Sequence, residues 1–131
     1  DTFEKEYRQA IRKVQAETDA KIVVISATSS VYDICKANAE KRKAAGKAHT
    51  LFGRPEELER FNAIAKRVAA DLGCDWVDVY EPTRTHIDKP SLFNPRDGVH
   101  LSAEGNRFIA LELLKYFSRP EDQASNLQGS Q

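Results

Sequence analysis

From Phe3 the apolar side chains Phe3, Tyr7, Ala10, Ile11 and Val14 recur at helical spacing with Lys, Arg and Glu between them, and Thr2 precedes them as a cap. A first helix is predicted from there to about Thr18. Lys21 to Ser26 encloses a β-branched run, Ile22 to Ile25, of the kind found in parallel strands covered on both faces. This is the first strand. Between Thr28 and Gly53 no clean period survives, because Ser, Asp, Gly and a run of Lys/Arg interrupt it, and the stretch reads as a loop carrying a polar insertion that can be helical. Pro55 then opens a second helix, Glu56 and Glu57 suit its positive end, Leu58, Phe61, Ile64, Ala65, Val68 and Leu72 form its stripe, and Gly73 ends it. Asp75 to Tyr80 follows as a second strand, and Pro82 and Pro90 bracket an irregular segment reaching Gly98. Ser102 caps a last helix whose apolar face is Phe108, Ile109, Leu111, Leu113, Leu114 and Phe117.

The order helix, strand, helix, strand, helix is that of a doubly wound, three-layer α/β domain with a parallel sheet. Two parallel strands leave both edges open, and the first is too apolar to stand at an edge in water. Other strands are therefore expected to complete the sheet, from an N-terminal part of the same protein or from a second chain. The chain also lacks methionine and opens at Asp1 directly on a helical pattern, so either a removed leader or a longer parent chain is expected. The domain is expected to span 1–117, followed by a polar, disordered tail over 118–131.

Composition narrows the function. With 40% apolar and 31% charged residues this is an ordinary globular chain, and 20 basic against 20 acidic side chains give no electrostatic case for nucleic acid or an anionic membrane. No apolar run approaches the roughly 20 residues of a membrane-spanning helix. Cys35 and Cys74 have no CxxC spacing, so they read as small buried hydrophobes rather than a metal or redox site.

The strongest chemical signal is Phe93-Asn-Pro-Arg-Asp97-Gly-Val-His100-Leu-Ser-Ala-Glu-Gly-Asn106, which sets Asp97 and His100 on a loop just before the last helix. A carboxylate three residues before an imidazole can accept its Nδ1 proton, leave Nε2 as base and stabilise the imidazolium formed in reaction. Gly98 between them permits a tight backbone.

That string resembles the last block of the SGNH hydrolases, the GDSL-type esterases and lipases, and the upstream order of elements is similar from Phe3 to Phe117. The resemblance implies a flavodoxin-like fold, incomplete in this chain, with His100 as general base and Asp97 as its orienting partner. It implies a serine esterase that works through an acyl-enzyme on an acyl ester, carbohydrate O-acetyl or lipid esters being candidates, with no metal and no organic cofactor. In the family the nucleophile comes from a Gly-Asp-Ser block, and a Gly-x-Asn-Asp segment supplies oxyanion donors. Neither is found here. The chain is accordingly expected to be a C-terminal half, inactive on esters alone, whose nucleophile lies outside it.

Other readings compete at several positions. A short Asp-x-x-His before a helix can be a simple cap. Ser26, Ser29 and Ser30 follow the first strand, where α/β proteins place functional groups, yet no nucleophile elbow surrounds them, so they read as polar loop residues. Arg84 and His86 read as a solvated loop, His49 has no partner in sequence, and Trp76 reads as core. Lys36, Lys41, Arg42, Lys43 and Lys47 are interleaved with Ala and Glu rather than aromatics, so they read as a solvated face. The alternative function is a non-catalytic α/β module that binds a partner through its exposed sheet edge, and exchange of elements between two copies is a further way to close the sheet.

Overall fold

The computed structural model describes residues 2–118. Five α-helices, one 3₁₀ turn and two strands follow in the order α1 (Thr2–Glu17), β1 (Val23–Ile25), α2 (Tyr32–Ala44), α3 (Pro55–Asp71), β2 (Asp75–Val77), α4 (Tyr80–Arg84), the 3₁₀ turn Lys89–Leu92, and α5 (Ala103–Phe117). β1 and β2 pair in parallel, with Val24 opposite Trp76. A parallel pair needs a crossover, and α2 and α3 supply it.

Strand alternation divides the core between the two sheet faces. Val24 packs with Ile11 of α1 and Ile64, Ala65, Val68 and Ala69 of α3, whereas Val23 and Val77 face Ile109, Leu113 and Tyr116 of α5. Three layers result, as the alternating element order predicts. Phe3 meets Phe61 edge-on with 4.7 Å between ring centroids, and Arg8 bridges Glu4 and Asp71 while Arg67 also reaches Glu4, which ties α1 to α3. Trp76 packs against the α1/α3 side, half-buried, as core.

One expectation is sharpened and two change. The stretch 28–53 carries a 13-residue helix, α2, whose buried face is made of the small Cys35 and Ala39 and therefore gives little periodicity. Both strands are shorter than their apolar runs. β2 stops at Val77 because the Asp78 carboxylate accepts the amides of Tyr80 and Glu81 and turns the chain into α4, so the segment predicted as strand up to Tyr80 is partly helical. The irregular segment after Pro82 contains the end of α4 and the 3₁₀ turn. The last helix starts as expected, its Ser102 Oγ accepting the Gly105 amide at 3.0 Å. The expected tail lies outside the described residues from 119 onward. Among the described residues no helix is long and apolar enough to cross a membrane.

Candidate active site

The segment between the 3₁₀ turn and α5 is shaped by its own backbone. Leu92 and Phe93 are fully buried, and Phe93 bridges Leu101 in an antiparallel sense. Asn94 donates its amide to the His100 carbonyl at 2.7 Å and accepts the Gly98 amide at 2.8 Å, and its side-chain oxygen takes the Arg96 amide at 2.9 Å. Seven residues, Asn94 to His100, are thus folded into one closed turn with Asp97 at its apex. Gly98 has φ +71°, and a Cβ there would stand 2.6 Å from the Val31 carbonyl oxygen. The close approach is used, since the Val31 amide donates to the Gly98 carbonyl at 2.9 Å and fastens the turn to the start of α2.

Within this turn Asp97 uses both carboxylate oxygens. Oδ1 accepts the amides of Val99 and His100 at 2.9 and 3.0 Å, and Oδ2 lies 3.1 Å from His100 Nδ1. Burial pushes the carboxyl upward, but the two amides and the imidazole together outweigh it and hold Asp97 below its usual range. An ionised carboxylate only accepts, so Nδ1 of His100 is the donor in this contact, and in the neutral ring the lone pair falls on Nε2. Asp97 is 26% exposed at its side chain against 81% for His100. The acid is held and the imidazole projects outward, and Nε2 has no hydrogen-bond partner among the described residues.

Beside the pair lies a cavity of about 380 Å³ between α2 and the turn, lined also by Cys35, Asn38, Arg42, Thr50 and Phe52. One of these residues changes role. Arg42, read as part of a solvated face, lines the cavity, with its Nε donating to the Ala48 carbonyl at 2.8 Å. Cys35 is buried as expected, and burial pushes its thiol upward so that it stays protonated, its Sγ 3.4 Å from the Val31 carbonyl. Cys74 is half-buried beside the α1/α3 core. No signal in the sequence brings Cys35 or Arg42 to one cavity with Asp97, because that depends on how α2 docks.

The remaining candidates fall elsewhere. Ser26 Oγ accepts the amides of Val79 and Tyr80 at 2.8 and 2.9 Å and donates to Asp78, so it joins the tips of the two strands. Ser30 Oγ donates to the Gly53 carbonyl at 2.6 Å. Ser29 is buried with its hydroxyl unpartnered, and with Ser30, Tyr80 and Lys89 it lines a separate pocket of about 250 Å³. None of the three hydroxyls bonds His100. Arg84 pairs with Glu81 at 2.6 Å, His86 stacks edge-on against Phe108 at 4.9 Å, and His49 Nδ1 lies 3.2 Å from the Lys47 carbonyl. No group of three or more His, Cys, Asp or Glu side chains suited to a metal occurs among the described residues.

With the geometry in hand, comparison with known proteins gives a consistent outcome. No curated protein matches the chain significantly. Among solved structures, a lipase/acylhydrolase from Enterococcus faecalis superimposes with a TM-score of 0.60 at 16% identity, over 88% of this chain and 50% of that one. At that identity the likeness speaks for the fold, and the chain spans half the length of the matched structure. The family model for GDSL-like lipases and acylhydrolases matches residues 1–108, a stretch that takes in α1, both strands, α3, the Asp97–His100 turn and the start of α5. Fold, turn and sequence agree, and the chain belongs to the GDSL-like lipase/acylhydrolase family.

Proposed function

We propose that Asp97 and His100 are the acid and base of a serine esterase that hydrolyses acyl esters through an acyl-enzyme. The observation that carries this reading is the 3.1 Å contact between His100 Nδ1 and an Asp97 carboxyl held below its usual range, with the exposed imidazole lining a cavity. In the first half-reaction Nε2 takes the proton of a serine hydroxyl as its oxygen attacks the ester carbonyl. The imidazolium, held by Asp97, then gives that proton to the departing alkoxide as the tetrahedral intermediate collapses. Water repeats the sequence against the acyl-enzyme and releases the acid.

The serine and the oxyanion donors come, in this proposal, from polypeptide that also completes the sheet. Ile25 stands 43% exposed on β1, a strand paired with β2 along one edge only among the described residues, and Leu111, Leu114 and Phe117 of α5 are at least half exposed. Such apolar surface at the edge of a two-stranded sheet calls for a cover. The solved lipase/acylhydrolase, twice the matched length, has room for one. The same exposed edge favours the second reading, a non-catalytic module that binds a partner there.

The two readings part in one experiment on the whole protein, hydrolysis of p-nitrophenyl acetate. His100→Ala is expected to lower kcat/KM by roughly 10²–10⁴ with the fold intact, and Asp97→Asn by a smaller factor. Wild-type-like turnover in His100→Ala refutes the catalytic assignment. Absence of turnover in the parent, with retained partner binding, favours the module.

A further inference from the structure

The cavity beside His100 is not isolated. Asn38 and Arg42 line it and also line a larger groove of about 790 Å³ between α2 and the 95–96 segment, so the two adjoin. Lys41, Arg42, Lys47 and Arg96 meet in that groove, against a single carboxylate, Asp33, which is taken by Lys36 at 2.8 Å. None of the four cations has an ion-pair partner among the described residues, and Arg42 spends only its Nε on the Ala48 carbonyl.

A local cause exists for part of this cluster. Cations in the last turn of a helix interact favourably with its negative end, and Lys41, Arg42 and Lys43 occupy the last turn of α2. That cause does not extend to Lys47, which lies beyond the helix, or to Arg96, which comes from the turn that presents Asp97. Three separate segments bring unpaired positive charge to one concavity in a chain whose net charge is zero. Mutual repulsion opposes that arrangement unless an anion enters. No aromatic side chain lines the groove, so it offers no platform for stacked bases.

We propose that this groove binds a carboxylate or phosphate group of the substrate, which makes the enzyme selective for anionic acyl esters. The inference rests on the reading of His100 as the base, because only then does the adjoining cavity hold the ester. Arg96 and Lys41 are substrate-positioning residues in this scheme, acting at a distance from the reacting carbonyl.

The test is a set of matched esters on the whole protein. Mono-p-nitrophenyl glutarate against p-nitrophenyl valerate places the charge on the acyl side, and 4-acetoxybenzoate against phenyl acetate places it on the alcohol side. For one of these pairs the anionic member is expected to exceed the neutral one in kcat/KM by roughly three- to tenfold, after correction for their uncatalysed hydrolysis, with the gain in KM and lost on adding salt. Arg96→Gln and Lys41→Gln, both at exposed positions, bring the ratio toward one, and Arg96→Glu brings it lower still. Losses common to both esters cancel in the ratio. Calorimetric binding of glutarate and of inorganic phosphate, weakened in the same variants, gives a second reading and distinguishes the carboxylate from the phosphate source. A ratio of one for both pairs, or a preference untouched by the variants, overturns the proposal. Turnover surviving in His100→Ala overturns the catalytic reading instead, so the two failures are distinct.

Discussion

Gly105, in the first turn of α5, offers a test in which helix propensity and packing predict opposite signs. In a helix Ala is favoured over Gly by about 1 kcal/mol, so propensity alone makes Gly105→Ala stabilising. A Cβ at this position, however, would lie 2.0 Å from the Leu92 carbonyl oxygen and 2.9 Å from its carbon. Those atoms belong to fully buried backbone at the end of the 3₁₀ turn, and the same oxygen accepts the Ser102 amide at 3.0 Å. They cannot swing aside as a side-chain tip could, so α5 must lift by about an ångström. Overpacking of that kind costs about 1–3 kcal/mol, and a buried acceptor pulled from its donor costs about 1–3 kcal/mol more. After the propensity gain the expected net loss is about 1–5 kcal/mol, read by urea denaturation followed by circular dichroism and Trp76 fluorescence. Because the Leu92–Ser102 seam underlies the turn that carries His100, ester hydrolysis is expected to fall as well. A variant as stable as the parent, or more so, would refute this account of α5 packing.

Gly98→Ala combines a left-handed φ with a clash against the Val31 carbonyl, whereas Gly46 (φ +65°) has open space around it. Gly98→Ala is therefore expected to lose about 1–3 kcal/mol more than Gly46→Ala in the same denaturation assay. Ser102→Ala removes both the cap to Gly105 and the 2.6 Å bond to the Ser91 carbonyl, for an expected loss of about 1–2 kcal/mol of unfolding free energy. Asp97 has a depressed folded pKa, so its contribution to stability is full above the ordinary carboxylate range and disappears as pH falls through the folded value; Asp97→Asn is expected to flatten that acid limb in pH-dependent unfolding. The Tyr80 phenol, pushed up to about 12 by burial and by its bond to Glu59, contributes stability that is complete below the ordinary phenol value and lost as pH rises toward 12. Tyr80→Phe is expected to reduce this alkaline loss, seen as a smaller drop in Tm above pH 10.

How much of this was legible in the sequence depended on how far apart the interacting residues lie. The Asp97 carboxylate closes on Val99 and His100, two and three residues away, and the Ser102 cap on Gly105, three away. Short-range patterns of that kind are written in adjacent letters. The stripe on α3 was equally plain, because Ile64, Ala65, Val68 and Ala69 are buried at helical spacing. Missed or blurred features share long-range causes. Ser26 looked like a loop hydroxyl, yet its partners are 52 to 54 residues away across the strand tips. α2 has weak periodicity because its buried face is the small Cys35 and Ala39, Cys35 being closely approached by Gly53 and Gly98. Arg42 and Arg96 were unremarkable as letters, since only the docking of α2 against the turn brings them into one groove.

The same distinction bears on when the base is formed. Every hydrogen bond that orients His100 lies inside the closed turn: its carbonyl on Asn94, its amide on Asp97 Oδ1 and its Nδ1 on Asp97 Oδ2. The turn is fastened to α2 through Gly98 and Val31, and to α5 through Leu92 and Ser102. None of these bonds involves β1 or β2, the strands on which Ile25 stands exposed. In the proposed esterase, tautomer and ring orientation are therefore set before a serine arrives, and the docking partner has only to place a hydroxyl against Nε2. Orientation fixed in advance costs nothing at the moment of reaction, which is where a general base gains most of its effect.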